Sequence, residues 1–268
     1  VSPTLGTRPV SSLAPLDMQR ITKKMGALSK TSKWAALEMV RRVVNFGVKN
    51  NLCPHLGFKI EMPKKDNEVV EYLTGEEMER LQTVLDEWPS KNIVGMLRLA
   101  MYSGMRRGEI FKLEEADLDF HQSLIRIRDP KGGKSASIPM SSVMFDLLKE
   151  QLTVRDQMFP DSPYVFPGFD GSMRTHCNAV RRIKDKADLP HGFRIFQGLR
   201  HHFAITLANS GEVTLDMIGE LLTHKSHAMT KRYAQFLPER KKEISELAST
   251  LINRQGSKNT IPARGDHE

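Results

Sequence analysis

Apolar residues return at helical spacing over much of this chain, and where that spacing breaks, the residues favour turns or strands. Over 16–28 and 31–50 the pattern predicts two amphipathic helices, with Trp34, Leu37, Val40, Val44 and Gly47 on one stripe of the second. Residues 1–9 lack periodicity, hold two prolines and a glycine, and read as a mobile lead-in. Between Leu52 and Val70 lie two more prolines, a glycine and the charged run Lys64-Lys65-Asp66-Asn67-Glu68, a linker composition. A second domain is therefore expected from residue 71, where Thr74-Gly75-Glu76-Glu77 matches a capping box that opens a helix to about Glu87. Ser90 is placed to cap a helix through Ser103, and 107–113 reads as one more short helix.

Strand-like alternation is confined to 118–120, 124–128 and 135–139, around the turn Lys131-Gly132-Gly133-Lys134. Helical patterns resume over 141–152, 175–187, 196–209, 215–222 and 228–236. A last stretch, 239–253, sets Ile244, Leu247, Ala248, Leu251 and Ile252 on one face, and 254–268 is a polar tail. The predicted fold is mainly α with a small three-stranded antiparallel β-sheet. Its parts are a helical unit over 10–65, a linker over 66–70 and a larger domain over 71–253.

Composition narrows the function classes. Apolar residues make up 39% of the 268, enough for a real core. The most apolar run, Ile93 to Met101, is broken by Arg98 and falls well short of the ~20 residues a membrane span needs. Two cysteines in no paired spacing exclude a disulfide scaffold and a cysteine zinc site, so a metal-free protein of a reducing cytoplasm is expected. The chain opens on Val with no signal-peptide pattern, and two helices make a thin domain, so missing N-terminal sequence is expected. The net charge of +8 is concentrated: residues 1–70 hold 12 basic and 5 acidic side chains. That excess suits a polyanionic partner, with Lys23, Lys24, Arg41 and Arg42 among the residues placed to lie along phosphates, although a solvated basic face has the same composition.

The chemistry begins at Ser103-Gly104-Met105-Arg106-Arg107-Gly108-Glu109, a Gly-flanked turn that enters a helix and offers a guanidinium beside amide donors. Taken alone, it also fits an ordinary helix cap with a surface Arg–Glu pair. Three further segments follow: Gln197-Gly198-Leu199-Arg200-His201-His202-Phe203-Ala204, Leu221-Leu222-Thr223-His224-Lys225-Ser226, and Thr230-Lys231-Arg232-Tyr233-Ala234. Arg200 precedes His224 by 24 residues, and His224 precedes Tyr233 by 9.

In these segments and their order, residues 71–253 resemble the tyrosine recombinase (phage integrase) family, and the basic helices before residue 60 resemble most of its core-DNA-binding domain, here truncated. The resemblance implies that Arg106 and Arg200 clamp a phosphate, that Tyr233 is the nucleophile of a 3′-phosphotyrosyl intermediate, and that His224 hydrogen-bonds the scissile phosphate. It assigns Lys131 as the general acid for the leaving 5′ oxygen, with Lys134 three residues on in the same turn. Because the covalent link conserves the phosphoester, the implied reaction needs no cofactor or metal. Double-stranded DNA, a homotetramer on it, a bacterial or phage-encoded nucleoid protein and strand exchange of a mobile element follow from the same likeness.

Two positions depart from the family pattern. Gln197 stands where a His is usual and cannot accept a proton near neutral pH, and Thr223 replaces the Gly usual before the catalytic His, which alters the local turn. His201 and His202 are expected to pack or bond internally. Two rivals share the fold or the chemistry: a DNA-binding module that has lost activity, for which Gln197 is the best support, and a type IB topoisomerase.

Overall fold

The computed structural model describes residues 5–64, 70–128, 136–224, 226–237, 245–246 and 248–252. The chain divides into two compact units, Val1–Val69 and Val70–Glu268.

The first unit is built on α1 (Pro15–Lys24) and α2 (Lys30–Lys49). Pro15 sets the first helical φ of α1 and Asp17 accepts the Ala14 N–H at 2.9 Å, while Ser29 Oγ accepts the Ser32 N–H at 3.1 Å to open α2. Met18 and Ile21 meet Leu37, Val40 and Val44 in a buried cluster that Ile60 completes. Leu5 and Val10 pack on that cluster, and Arg8 pairs with Asp17 at 2.7 Å. Within the expected lead-in, Leu5 and Arg8 thus make contacts to the first unit that periodicity does not reveal.

The second unit starts with α3 (Gly75–Asp86), whose capping box forms: the Glu77 N–H donates to Thr74 Oγ1 at 3.2 Å and the Thr74 N–H to the Glu77 carboxylate at 2.8 Å. Then come α4 (Lys91–Ser103), α5 (Arg107–Phe111), β1 (Leu118–Asp119), β2 (Leu124–Ile127), β3 (Ala136–Pro139) and α6 (Ser142–Met158). After α7 (Ala179–Lys186), α8 (Ile195–Ser210), α9 (Leu215–Leu221) and α10 (His227–Thr230), a 3-10 helix runs over Lys231–Phe236. The sheet is antiparallel in chain order, with Ile125 opposite both Leu118 and Ile138. Ile125, Ile127 and Ile138 turn one face into the core. α4 packs against both α6 and α8, and its Met96, Leu97, Leu99 and Ala100 are wholly buried.

Besides α1, which ends four residues short of its predicted end, and α7, which starts four residues late, two elements differ further from the pattern. α6 runs six residues past the predicted end because its last turns bury polar groups. Gln151 donates to the Val165 carbonyl at 2.9 Å, and Arg155 pairs with Glu115 at 2.7 Å, so a stripe that stops being apolar continues as helix. The predicted helix over 228–236 is a four-residue turn followed by 3-10 helix, and Thr230 at the end of the first and Tyr233 in the second are both buried. There Tyr233 joins Ala204, Ile205, Ala208, Ile218 and Leu222 in a second small core.

Candidate active site

α4 ends at Gly104, whose φ of +61° is the left-handed conformation that glycine adopts without strain. A Cβ there would meet Phe203 Cδ1 at 2.7 Å and Leu222 Cδ2 at 2.8 Å. This turn delivers Arg106 to the start of α5, where Glu109 accepts both its backbone N–H at 2.8 Å and its guanidinium at 2.7 Å. The Arg–Glu pair is thus an orienting clamp on a guanidinium that lines a cleft of about 700 Å³.

Arg200 reaches the same cleft from α8. Its guanidinium donates to the Gly104 carbonyl at 2.7 Å and the Leu222 carbonyl at 2.6 Å, which among the described residues uses two of its five donors. Burial, and next the charge of Arg106, hold it down to about 10, so it stays cationic at neutral pH.

Thr223 and His224 follow α9 in a Schellman turn: the Thr223 N–H donates to Glu220 O at 2.9 Å and the His224 N–H to Gly219 O at 2.8 Å. Such a turn needs a left-handed residue, which explains a glycine as the usual occupant, and Thr223 takes φ +52° there. The Thr side chain is used, because Arg106 donates to its Oγ1 at 3.0 Å and to its carbonyl at 3.4 Å. His224 Nδ1 lies 2.7 Å from Thr230 Oγ1, and burial, then Arg200 and Arg106, push the ring down to about 3.

Tyr233 is 1% exposed, and its hydroxyl lies 2.8 Å from His201 Nδ1. The His224 ring stacks parallel to the phenol, 6.4 Å between centroids. Burial raises the phenol above its usual pKa, against the pull of Arg200, Arg232 and Arg106. The Gln197 amide nitrogen lies 3.4 Å from His201 Nε2. Five of six predicted catalytic positions, Arg106, Gln197, Arg200, His224 and Tyr233, thus line one cleft with Arg107, Arg194 and Arg232. Lys131, the sixth, and Lys134 beside it fall outside the described residues. Lys23, Lys24, Arg41 and Arg42 are exposed on α1 and α2 of the first unit, with Arg41 paired to Glu38 at 2.7 Å.

Sequence reasoning missed the partners. His201 bonds internally as expected, but to the candidate nucleophile itself, and Thr230 and Thr223 orient His224 and Arg106. Adjacent Arg and His residues carry no local signal of this. Among the described residues there is no group of three metal-ligating side chains, and no helix is long and apolar enough to cross a membrane.

The sequence profile of the phage integrase family matches residues 71–240. The chain is 28% identical over 203 residues to tyrosine recombinase XerA of Thermococcus onnurineus, covering 72% of this chain and 68% of that protein. It is 32% identical over 140 residues to tyrosine recombinase XerC of Corynebacterium glutamicum, covering 52% and 44%. Its fold matches that of XerH recombinase in a post-cleavage complex with palindromic difH substrate, with TM-score 0.70, 21% identity and coverage of 90% of this chain and 73% of the other. It also matches the Tn1549 transposon integrase in complex with transposon right end DNA, with TM-score 0.70, 18% identity and coverage of 91% and 88%. With Arg106, Arg200, His224 and Tyr233 gathered in one cleft inside the matched region, the chain belongs to the phage integrase family, the tyrosine-type site-specific DNA recombinases.

Proposed function

We propose that this chain integrates or excises a mobile element by cutting one DNA strand at a time through a 3′-phosphotyrosyl intermediate. The observation that carries the reading is the cleft that holds Tyr233 beside two guanidinium groups with donors to spare. Tyr233 Oη attacks the scissile phosphorus, its O–P bond forms as the bond to the 5′ oxygen breaks, and Lys131 protonates that leaving oxygen. Arg106 and Arg200 hold the non-bridging oxygens, where charge grows in the transition state. With the Thr230 hydroxyl as donor to His224 Nδ1, 2.7 Å away, the His224 proton sits on Nε2, the form that donates to a phosphate oxygen. Religation by a 5′-hydroxyl reverses the step. Lys23, Lys24, Arg41 and Arg42 serve as backbone contacts to the duplex, and strand exchange takes place in a homotetramer on two DNA sites.

A pool of randomised nicked duplexes, incubated with the 268-residue chain and sequenced from covalent adducts, tests the reading. Wild type is expected to trap a recurring sequence, and Tyr233→Phe to trap none while retaining duplex in a mobility-shift assay. Adducts that persist in Tyr233→Phe move the nucleophile elsewhere. Adducts without sequence preference favour a relaxing topoisomerase, and retention of DNA with no adduct favours a binding module.

A further inference from the structure

With Gln197 unable to accept a proton, nothing assigned so far takes the one that Tyr233 must lose. His201, the residue after Arg200, is buried with Nδ1 2.8 Å from the Tyr233 hydroxyl, and no other side chain within hydrogen-bond range of that oxygen is seen among the described residues. One helical turn back on α8, Gln197 sits 3.4 Å from the ring's other nitrogen. We propose that His201 accepts the phenolic proton as Tyr233 attacks, with Gln197 holding the far edge of its ring, so that base catalysis in this chain lies at position 201 and not at 197.

The inference rests on Tyr233 as nucleophile and balances as follows. The O–H bond of Tyr233 breaks as its O–P bond forms, the proton moves to His201 Nδ1, and the 5′ oxygen leaves with a proton from the general acid. Imidazolium returns the proton to the phenol on religation. Acceptance at Nδ1 requires the tautomer with the proton on Nε2, and the Gln197 amide presents its oxygen to that N–H after a half-turn about its last torsion.

The surroundings suit a base that works only on bound phosphate. Arg200 and Gln197 face His201 from its own helix, Arg194 from that helix's N-cap, Arg232 and Tyr233 from the 3-10 helix, His224 from the turn after α9, and Glu71 from the segment before α3. Burial, then the charge of Arg232, push the ring down to about 4, so it is neutral near pH 7, as an acceptor must be. A phosphate seated among Arg106, Arg200 and Arg232 cancels part of that positive field and raises the ring's affinity for a proton as negative charge grows on the phosphoryl oxygens.

The test uses a nicked duplex recovered by the trapping experiment, in single-turnover cleavage by wild type and His201→Asn, whose amide keeps a hydrogen bond near the Nδ1 position without basicity. His201→Asn is expected to cleave about 100-fold more slowly at pH 7, with its rate climbing tenfold per pH unit between about 6 and 9 while wild type stays nearly flat. Replacing the 5′ bridging oxygen by sulfur, a leaving group that needs no proton, should rescue Lys131→Ala but not His201→Asn. Equal urea midpoints and duplex retention keep folding out of the comparison, and His201→Gln provides a second variant should His201→Asn fold poorly. A variant slowed equally at every pH, or as fast as wild type, overturns the proposal while a Tyr233-dependent adduct leaves the nucleophile assignment intact. No adduct from wild type overturns both.

Discussion

Thr223 combines strain with use. A β-branched residue at φ +52° costs roughly 1 kcal/mol or more relative to glycine, and its hydroxyl accepts from Arg106. Relief of strain and loss of an orienting bond should therefore separate in Thr223→Gly. We expect its urea unfolding free energy to rise by about 1 kcal/mol and its single-turnover cleavage rate to fall about tenfold, the cost of one hydrogen bond to a charged group partly replaced by water. A variant both more stable and equally fast would show that the hydroxyl does nothing for Arg106.

At the scale of elements, α4 contributes its C-terminal turn as much as its buried face. The Gly104 carbonyl holds Arg200, and the glycine itself stands where a Cβ would strike the ring of Phe203 and the side chain of Leu222. Gly104→Ala should lower stability by about 1–3 kcal/mol, through a forced left-handed Ala and overpacking, and should also slow cleavage by shifting the carbonyl under Arg200. Thr74→Ala provides the contrast. It removes the cap of α3, costs about 1 kcal/mol, and touches no group of the cleft, so its cleavage rate on folded protein should match wild type. Paired urea titrations and single-turnover rates separate a turn that positions chemistry from one that only starts a helix.

For the molecule as a whole, the buried cleft makes stability depend on pH. His201 and His224 are held at about 4 and about 3 in the fold, against 6.5 for an ordinary His. Below about pH 6.5 the unfolded chain binds these protons before the folded one does, so stability is complete above that pH and is lost as pH falls towards the folded values. The depressed carboxylates Asp17, Glu87 and Asp170 act only nearer pH 4 and below, which leaves the window from about 6.5 to 4.5 to His201, His224 and His202, whose ring is also held below its usual value by burial. Urea unfolding at pH 7.5, 6 and 5 should show a steady decline, shallower in His201→Asn. A flat profile across that window would mean that these rings are open to protons in the folded protein.

Periodicity and capping chemistry are local, so the chain alone determined that it is mainly helical, where the sheet lies, and that Thr74 opens a helix. The family resemblance, carried by four short segments in their order, likewise pointed to Arg106, Arg200, His224 and Tyr233, because a short segment holds each together with its neighbours. What only the tertiary structure decided is which groups touch. Arg106 meets Thr223 across 117 residues, and Arg200 meets Gly104 across 96. The sequence marks His201 only as an internally bonded residue, and its turn towards Tyr233 follows from how α8 packs against the 3-10 helix. The extension of α6 through Gln151 and Arg155 has the same origin, since a polar side chain counts as buried only once a distant partner is in place. Such contacts depend on packing geometry set by the whole core, and no pattern along the chain encodes them one segment at a time.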